Sequence, residues 1–419
     1  MSGGKLEMAD IRPFRAVRPK NGLEKWIAAL PYDVYSRKEA ADKVRGDDLS
    51  FLRIDRAETQ FDDSVDTYDD RVYEKAKELF DGMLEKGELR EDESECYYLY
   101  ELTMNGRSQT GIVAVASIDD YLNDIIKKHE NTRADKEEDR IRHVDALSAQ
   151  TGPIFLAYRG NFVIDEIVER VKEGEPYFDF YSDDLIRHRG FLISDDEDIE
   201  EIRNAFSQMD SVYIADGHHR CASAVRVGLK RRKEDPDHSP DAEFNYFLSV
   251  LFPERELMIM DYNRVVKDLN GHDREGILSF FRQRGTLLEV NSDKPYKPTS
   301  KGNVGIYLEG SWYSFYFDNT VECDDPVRAL DVSRLQDDFL EPLFGIEDPK
   351  TDKRIDFVGG IRGLKELEIR CDESGGIAFA MYPTSIRELF AVADAGMLMP
   401  PKSTWFEPKL RSGLFIHRI

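Results

Sequence analysis

Apolar positions recur along this chain with two periods. Val72, Ala76, Leu79, Phe80 and Met83 fall at helical spacing, and Gly87 closes the run, which predicts one amphipathic helix. Residues 96–104 and 108–117 instead predict two strands around Asn105-Gly106, a pair suited to the positive dihedrals of a tight hairpin turn. A second hairpin is predicted around Gly310, with arms Val304–Leu308 and Trp312–Phe317.

Between these lie short, wholly apolar runs of the kind that fill a sheet interior. Thr151–Tyr158, Ser211–Ala215, Asn245–Phe252 and Gly376–Tyr382 all read as strands. Residues 118–150 are densely polar and read as helical. His218–Lys233 predicts a helix with Ala222, Val225 and Leu229 on its inner face, and Ser385–Ala395 a further one. Pro31 fixes its own dihedral and pushes Leu30 toward an extended state, so Ala28–Val34 reads as a strand end or structured loop. The class implied is α+β, with mixed strands and helices. Three regions are expected: an N-terminal α/β region at 1–95, a core at 96–267 and a C-terminal α/β region at 268–419. No internal repeat or low-complexity segment interrupts them.

Composition narrows the function classes. Of 419 residues, 41% are hydrophobic and 34% charged, with 58 Lys and Arg against 83 Asp and Glu, a net charge of −25. Such a surface repels phosphate backbones and anionic lipid, so neither a nucleic acid nor a membrane is an expected partner. Cys96, Cys221, Cys323 and Cys371 are far apart and form no CxxC pair, which fits a reducing cytoplasm. The longest apolar runs fall far short of the roughly 20 residues that span a bilayer, and Met8 is a candidate functional start after a patternless polar leader.

Several motifs are excluded by spacing. No GxxxxGK[ST] or GxGxxG turn is present, and His129-Glu130-Asn131-Thr132-Arg133 puts Arg where HExxH needs a zinc ligand. The sharpest feature is Asp216-Gly217-His218-His219-Arg220. A strand that ends in Asp-Gly and opens directly into a helix presents unpaired N–H groups and a positive dipole end, the elements of an anion site. His218, His219 and Arg220 add side-chain donors, while Asp216 can hold a metal that bridges phosphate oxygens. A tight turn with a solvated basic first turn is the plainer alternative. Zinc on His218, His219 and Cys221 is disfavoured because neighbouring helical side chains diverge.

Two further basic segments stand out. In Lys127–Arg133, continued by Lys136, Asp139 and Arg140, Glu130 is a carboxylate among cations, suited to act as a base; an ordinary solvated helix is the alternative. In Met399–Gly413, Lys402, Ser403, Thr404 and Lys409 form a local basic loop suited to a phosphorylated ligand, or to pairing with nearby acids. Lys230-Arg231-Arg232-Lys233 reads as a solvated helix end.

With these residues in view, from Arg12-Pro13-Phe14 and Pro31-Tyr32-Asp33 through His129-Glu130 and Asp216–Arg220 to Pro400–Gly413, the chain resembles the family called domain of unknown function 1015. Its middle segment also resembles the ParB/sulfiredoxin-like superfamily, in which a DGHHR-type turn binds nucleotide phosphates. Free-serine kinases of that group carry an upstream His-Glu pair as well. The resemblance implies Glu130 as the base, Asp216 as the metal- or hydroxyl-orienting acid, and His129, Gly217, His218, His219 and Arg220 as phosphate or nucleotide binders. The expected activity is a Mg²⁺-dependent phosphotransferase on a small hydroxylated metabolite, L-serine foremost, with ATP, ADP or pyrophosphate as donor. A nucleotide-binding regulator without turnover is the alternative. Sulfiredoxins place a nucleophilic Cys before the His-Arg of their turn; here Gly217 and His218 stand there, and Cys221 follows.

Overall fold

A computed structural model describes residues 8–132, 134–318 and 324–419, so Arg133 and Cys323 lie outside the described residues. The chain divides into two compact units, Met1–Leu257 with Pro408–Ile419, and Met258–Glu407. The regions expected from sequence divide the chain differently: 95/96 falls inside the first unit, and 267/268 inside the second.

The first unit is built on a nine-stranded mixed sheet. Its order is Ile126–Lys127, Val212–Asp216, Ile154–Tyr158, Tyr246–Pro253, Arg107–Ser117, Tyr97–Met104, Arg187–Ile193 and Phe178–Tyr181, with Ile11–Arg12 pairing onto Arg107–Ser117. The hairpin forms as its turn residues dictate, since Asn105 and Gly106 take φ of 52° and 79°. Tyr246–Pro253 is buried along its whole length, as its unbroken apolar run requires of a central strand. The main core collects Tyr97, Leu99, Ile112, Leu156, Ile214 and Phe247. A second core joins the N-terminal helices to the main body through Phe51, Val72, Ala76, Phe80 and Leu147. Helix Asp70–Glu85 contributes the face read from its periodicity, and its N-cap Asp69 accepts from the backbone of Arg71.

The second unit carries a six-stranded antiparallel sheet, ordered Gly285–Val290, Ser311–Phe317, Asn303–Leu308, Ile377–Ala380, Tyr262–Val266 and Ile355–Gly359. The predicted hairpin at Gly310 lies in it, with both Glu309 and Gly310 at positive φ. A capping box of Ser385 and Glu388 opens helix Ile386–Asp394. The architecture is mixed α and β throughout, as expected.

Two local readings change. Residues 118–150 are not continuously helical: the strand Ile126–Lys127 and a loop to Thr132 precede helix Ala134–Leu147. A non-local partner, Val212-Tyr213, draws Ile126-Lys127 into parallel pairing and overrides the local pattern. Helix His218–Glu234 is also not one-faced. Cys221 to Val225, Val227 and Gly228 are all buried, whereas Leu229 is only partly covered.

Candidate functional site

Strand direction assembles the site. Ile126–Lys127 runs parallel to Val212–Asp216, so the residues that follow each strand, His129-Glu130 and Gly217-His218, emerge at the same end of the sheet. Ile154–Tyr158 runs antiparallel to Val212–Asp216, with Phe155 opposite Asp216, which brings Gly152-Pro153 to that end too. Crevices beyond the carboxyl ends of strands are where ligands bind in open α/β sheets. A register shift between Ile214 and Asp216 re-aims the last residue of the strand.

Gly217 makes the turn. It sits at φ 93°, ψ 30°, a conformation only glycine takes without strain, and leaves the start of helix His218–Glu234 with no side-chain cap. The first N–H groups of this 17-residue helix therefore have no intrahelical partner and face outward with the positive dipole end. The Arg220 guanidinium lies flat against Gly217, whose absent Cβ would stand 3.0–3.1 Å from it. Arg220 Nη1 donates to the Pro153 carbonyl, and Nη2 lies 3.7 Å from Asp216 Oδ2.

Asp216 is held ionised. Lys409 Nζ donates to its Oδ2 at 3.2 Å. Loss of solvent opposes the charge, but Lys409 and then Arg220 outweigh it and keep the carboxyl far below the usual carboxylate range. Both cations make their nearest approach at Oδ2.

The two histidines correct the picture of a cationic island. His129 is 2% exposed and His218 7%, with rings edge-on and centroids 4.5 Å apart. Burial pushes His129 down to about 4 and His218 well below its ordinary value, so both are neutral at pH 7. Neutrality removes the conflict between a basic residue and the helix dipole. Nε2 of His218 is buried without a hydrogen-bond partner, a rare state for an imidazole and one that a bound ligand would relieve, while His129 lies against the Ile214 backbone. Glu130 and His219 lie at the margin, both half-buried.

The remaining candidates divide between the units. Lys402, Ser403 and Thr404 lie in the second unit, where Ser403 Oγ donates to the Pro400 carbonyl at 2.7 Å and Lys402 carries a φ of 60°. In the run Lys230–Lys233, Lys230 and Arg231 pair with Asp145, and Arg232 with Asp119. Cys221 is fully buried with its thiol pushed up, so no nucleophile of the sulfiredoxin kind stands here. Among the described residues no group of three or more His, Cys, Asp or Glu is arranged to hold a metal ion. A Mg²⁺ ion needs only one or two carboxylates when phosphate oxygens complete its shell, and Asp216 fits that requirement.

The sequence reading named Asp139 and Arg140 only as the continuation of a basic segment, and missed His143 and the burial of all three beside this turn. Helix Ala134–Leu147 turns Asp139, Arg140 and His143 inward, each less than a tenth exposed, toward Tyr32, Asp55 and Thr151. Lys136, Asp139, Arg140 and His143 recur at i, i+3, i+4 and i+7, a polar stripe at helical spacing that carried the signal.

The sequence family model for proteins of unknown function DUF1015 matches residues 11–333. The chain belongs to the DUF1015 family. No curated protein matches this DUF1015 chain. Among solved structures, a mutant of free serine kinase in complex with AMP is 13% identical, with 71% of this chain and 87% of that one covered at a TM-score of 0.35. Another mutant of that kinase, in complex with ADP, gives 12%, 72%, 88% and 0.35. SbnI from Staphylococcus aureus, truncated at its C-terminus, gives 13%, 70%, 82% and 0.35.

Proposed function

We propose that this DUF1015 protein is a Mg²⁺-dependent phosphotransferase acting on a small hydroxylated metabolite, with free L-serine the first acceptor to test. The observation that carries the reading is the meeting of His129-Glu130 and Asp216–Arg220 at one sheet end, where an ionised carboxylate, uncapped helix N–H groups and the unpartnered Nε2 of buried His218 stand together. Phosphoryl transfer asks a protein chiefly for positioning and charge neutralisation.

In this reading the N–H groups after Gly217, with His218, His219 and Arg220, bind the phosphates of ATP, ADP or pyrophosphate. Asp216 would hold Mg²⁺, which would supply charge neutralisation at the phosphates. Glu130 accepts the proton of the acceptor hydroxyl as its oxygen bonds to phosphorus. The bond from that phosphorus to the donor's bridging oxygen breaks, and the nucleotide or phosphate leaves with the electron pair.

Phosphorus NMR of the protein with Mg²⁺, each donor and L-serine tests the reading through a new phosphomonoester signal. Glu130→Gln is expected to abolish turnover and leave nucleotide affinity within about twofold, whereas Arg220→Ala weakens affinity. Near-normal turnover in Glu130→Gln overturns the mechanism. The second reading, a nucleotide-responsive regulator, rests on the same unpartnered His218 nitrogen, which calls for a ligand but not for turnover. It predicts a nucleotide-dependent thermal shift with no product.

A further inference from the structure

Beside the phosphate turn, and wholly within the first unit, lies a cavity of about 360 Å³ that includes Tyr32, Asp55, Glu58, Tyr73, Arg140 and His143 in its lining. A smaller cavity of about 30 Å³ shares Tyr32, Asp55, Arg140 and His143 and reaches Gly152 and Arg220. The four shared residues thus stand between the larger space and the guanidinium that flanks Asp216.

The walls mix apolar side chains such as Ile54 and Val72 with carboxylates and Lys or Arg side chains in equal number. Asp139 is engaged from both sides, by Tyr73 Oη at 2.9 Å and Arg140 Nε at 3.0 Å. That pairing fixes Arg140 over the Tyr32 ring, 4.0 Å from its centroid, and leaves Nη1 outside the bonds to Asp139. Asp55 accepts from Thr151 Oγ1 at 2.8 Å through Oδ1, so Oδ2 remains as an acceptor. His143 Nε2 lies 3.1 Å from the Ile54 carbonyl. A carbonyl can only accept, so Nε2 carries the proton and Nδ1 is a second acceptor. Asp55 and Arg140, which line both cavities, thus offer an acceptor for a cation and a donor for an anion on one small molecule.

A flat heterocycle would leave these charges without partners, at the cost of a buried unsatisfied group. A polyanion would face Asp55, Glu58 and Asp139. The volume corresponds to about a dozen water molecules at ~30 Å³ each, more than a single small amino acid fills. We infer that this cavity is the acceptor pocket, that it takes a hydroxyl-bearing zwitterion with its ammonium toward Asp55 and its carboxylate toward Arg140, and that it has room for one longer than serine. The role as acceptor rests on the phosphotransferase reading; the charge selectivity does not.

Calorimetric titration of the full chain with four probes tests it: L-serine, glycyl-L-serine, N-acetyl-L-serine, which lacks the ammonium, and L-serine amide, which lacks the carboxylate. The zwitterions are expected to bind, the dipeptide at least as tightly as serine, and loss of either charge to weaken binding tenfold or more. Asp55→Asn and Arg140→Lys, each isosteric or charge-conserving, should weaken dipeptide binding tenfold while ADP affinity stays within twofold. The inference is overturned if either singly charged probe matches the zwitterions, if no probe binds, or if both variants keep dipeptide affinity within twofold. ADP titration of the same sample separates the two readings. Probe binding without ADP binding sinks the phosphotransferase and leaves the zwitterion site; ADP binding without probe binding does the reverse.

Discussion

Lys409 Nζ donates to Asp216 Oδ2 at 3.2 Å, across 193 residues of sequence, and the positive charge it brings is the largest influence that keeps the carboxyl charged. Replacing Lys409 with Met should raise the Asp216 pKa. The carboxyl is depressed in the folded state, so the stability it brings is complete above the unfolded value of about 4 and is lost as pH falls below it. Because Asp216 is about one-third exposed, solvent screening limits the effect to about 1 kcal/mol. Urea unfolding of both proteins should show that difference at pH 7 and a narrowing gap below about pH 4.

Gly217→Ala tests the turn itself. A Cβ at φ 93° is strained and would press on the Arg220 guanidinium, so a loss of about 1–2 kcal/mol is expected together with weaker ADP binding. A variant with unchanged thermal midpoint and unchanged affinity would show that the turn tolerates a side chain and that Arg220 is not poised by it.

Buried neutral histidines make the fold acid-sensitive in a definite window. His129 is pushed down to about 4 and His188 to about 3, against an unfolded value of about 6.5. The unfolded chain binds more protons below that value, so the contribution of each is whole above pH 6.5 and shrinks as pH falls, by up to about 1.4 kcal/mol per unit. Urea midpoints taken from pH 7.5 to 5 should fall steeply. His129→Gln should flatten part of that slope; an unchanged slope would mean that His129 is not buried neutral.

The described cysteines should be inert in the native protein. Cys96, Cys221 and Cys371 are buried, and loss of solvent pushes all three thiols up, Cys371 to about 12. Peptide mass spectrometry after iodoacetamide at pH 8 should find them unmodified until urea is added. Native alkylation of Cys221 would overturn its placement against the core.

Elements with strictly local causes were legible in the sequence. Asn105-Gly106 specified its hairpin because a two-residue turn demands positive φ at both positions, and the helix after Gly217 starts where Asp-Gly places it. What depended on distant partners was not. The pairing of Ile126-Lys127 with Val212-Tyr213 took Lys127 out of a helix, and burial turned His129 and His218 from expected cations into neutral rings. Lys409 appeared only as part of a basic loop, since nothing near it in sequence names Asp216. The stripe of Asp139, Arg140 and His143 was visible as polar periodicity, but periodicity alone cannot say whether a polar face meets water or a cavity.

The segment Pro408–Ile419 returns to the first unit after residues 258–407 have been laid down. During synthesis, which proceeds from the N-terminus at ~5–20 residues per second, Asp216 therefore waits roughly 10–40 s for Lys409, 193 residues further on. A nascent chain halted inside the second unit carries the whole Asp216–Arg220 turn but lacks Lys409, so the surroundings of Asp216 are completed in one late step.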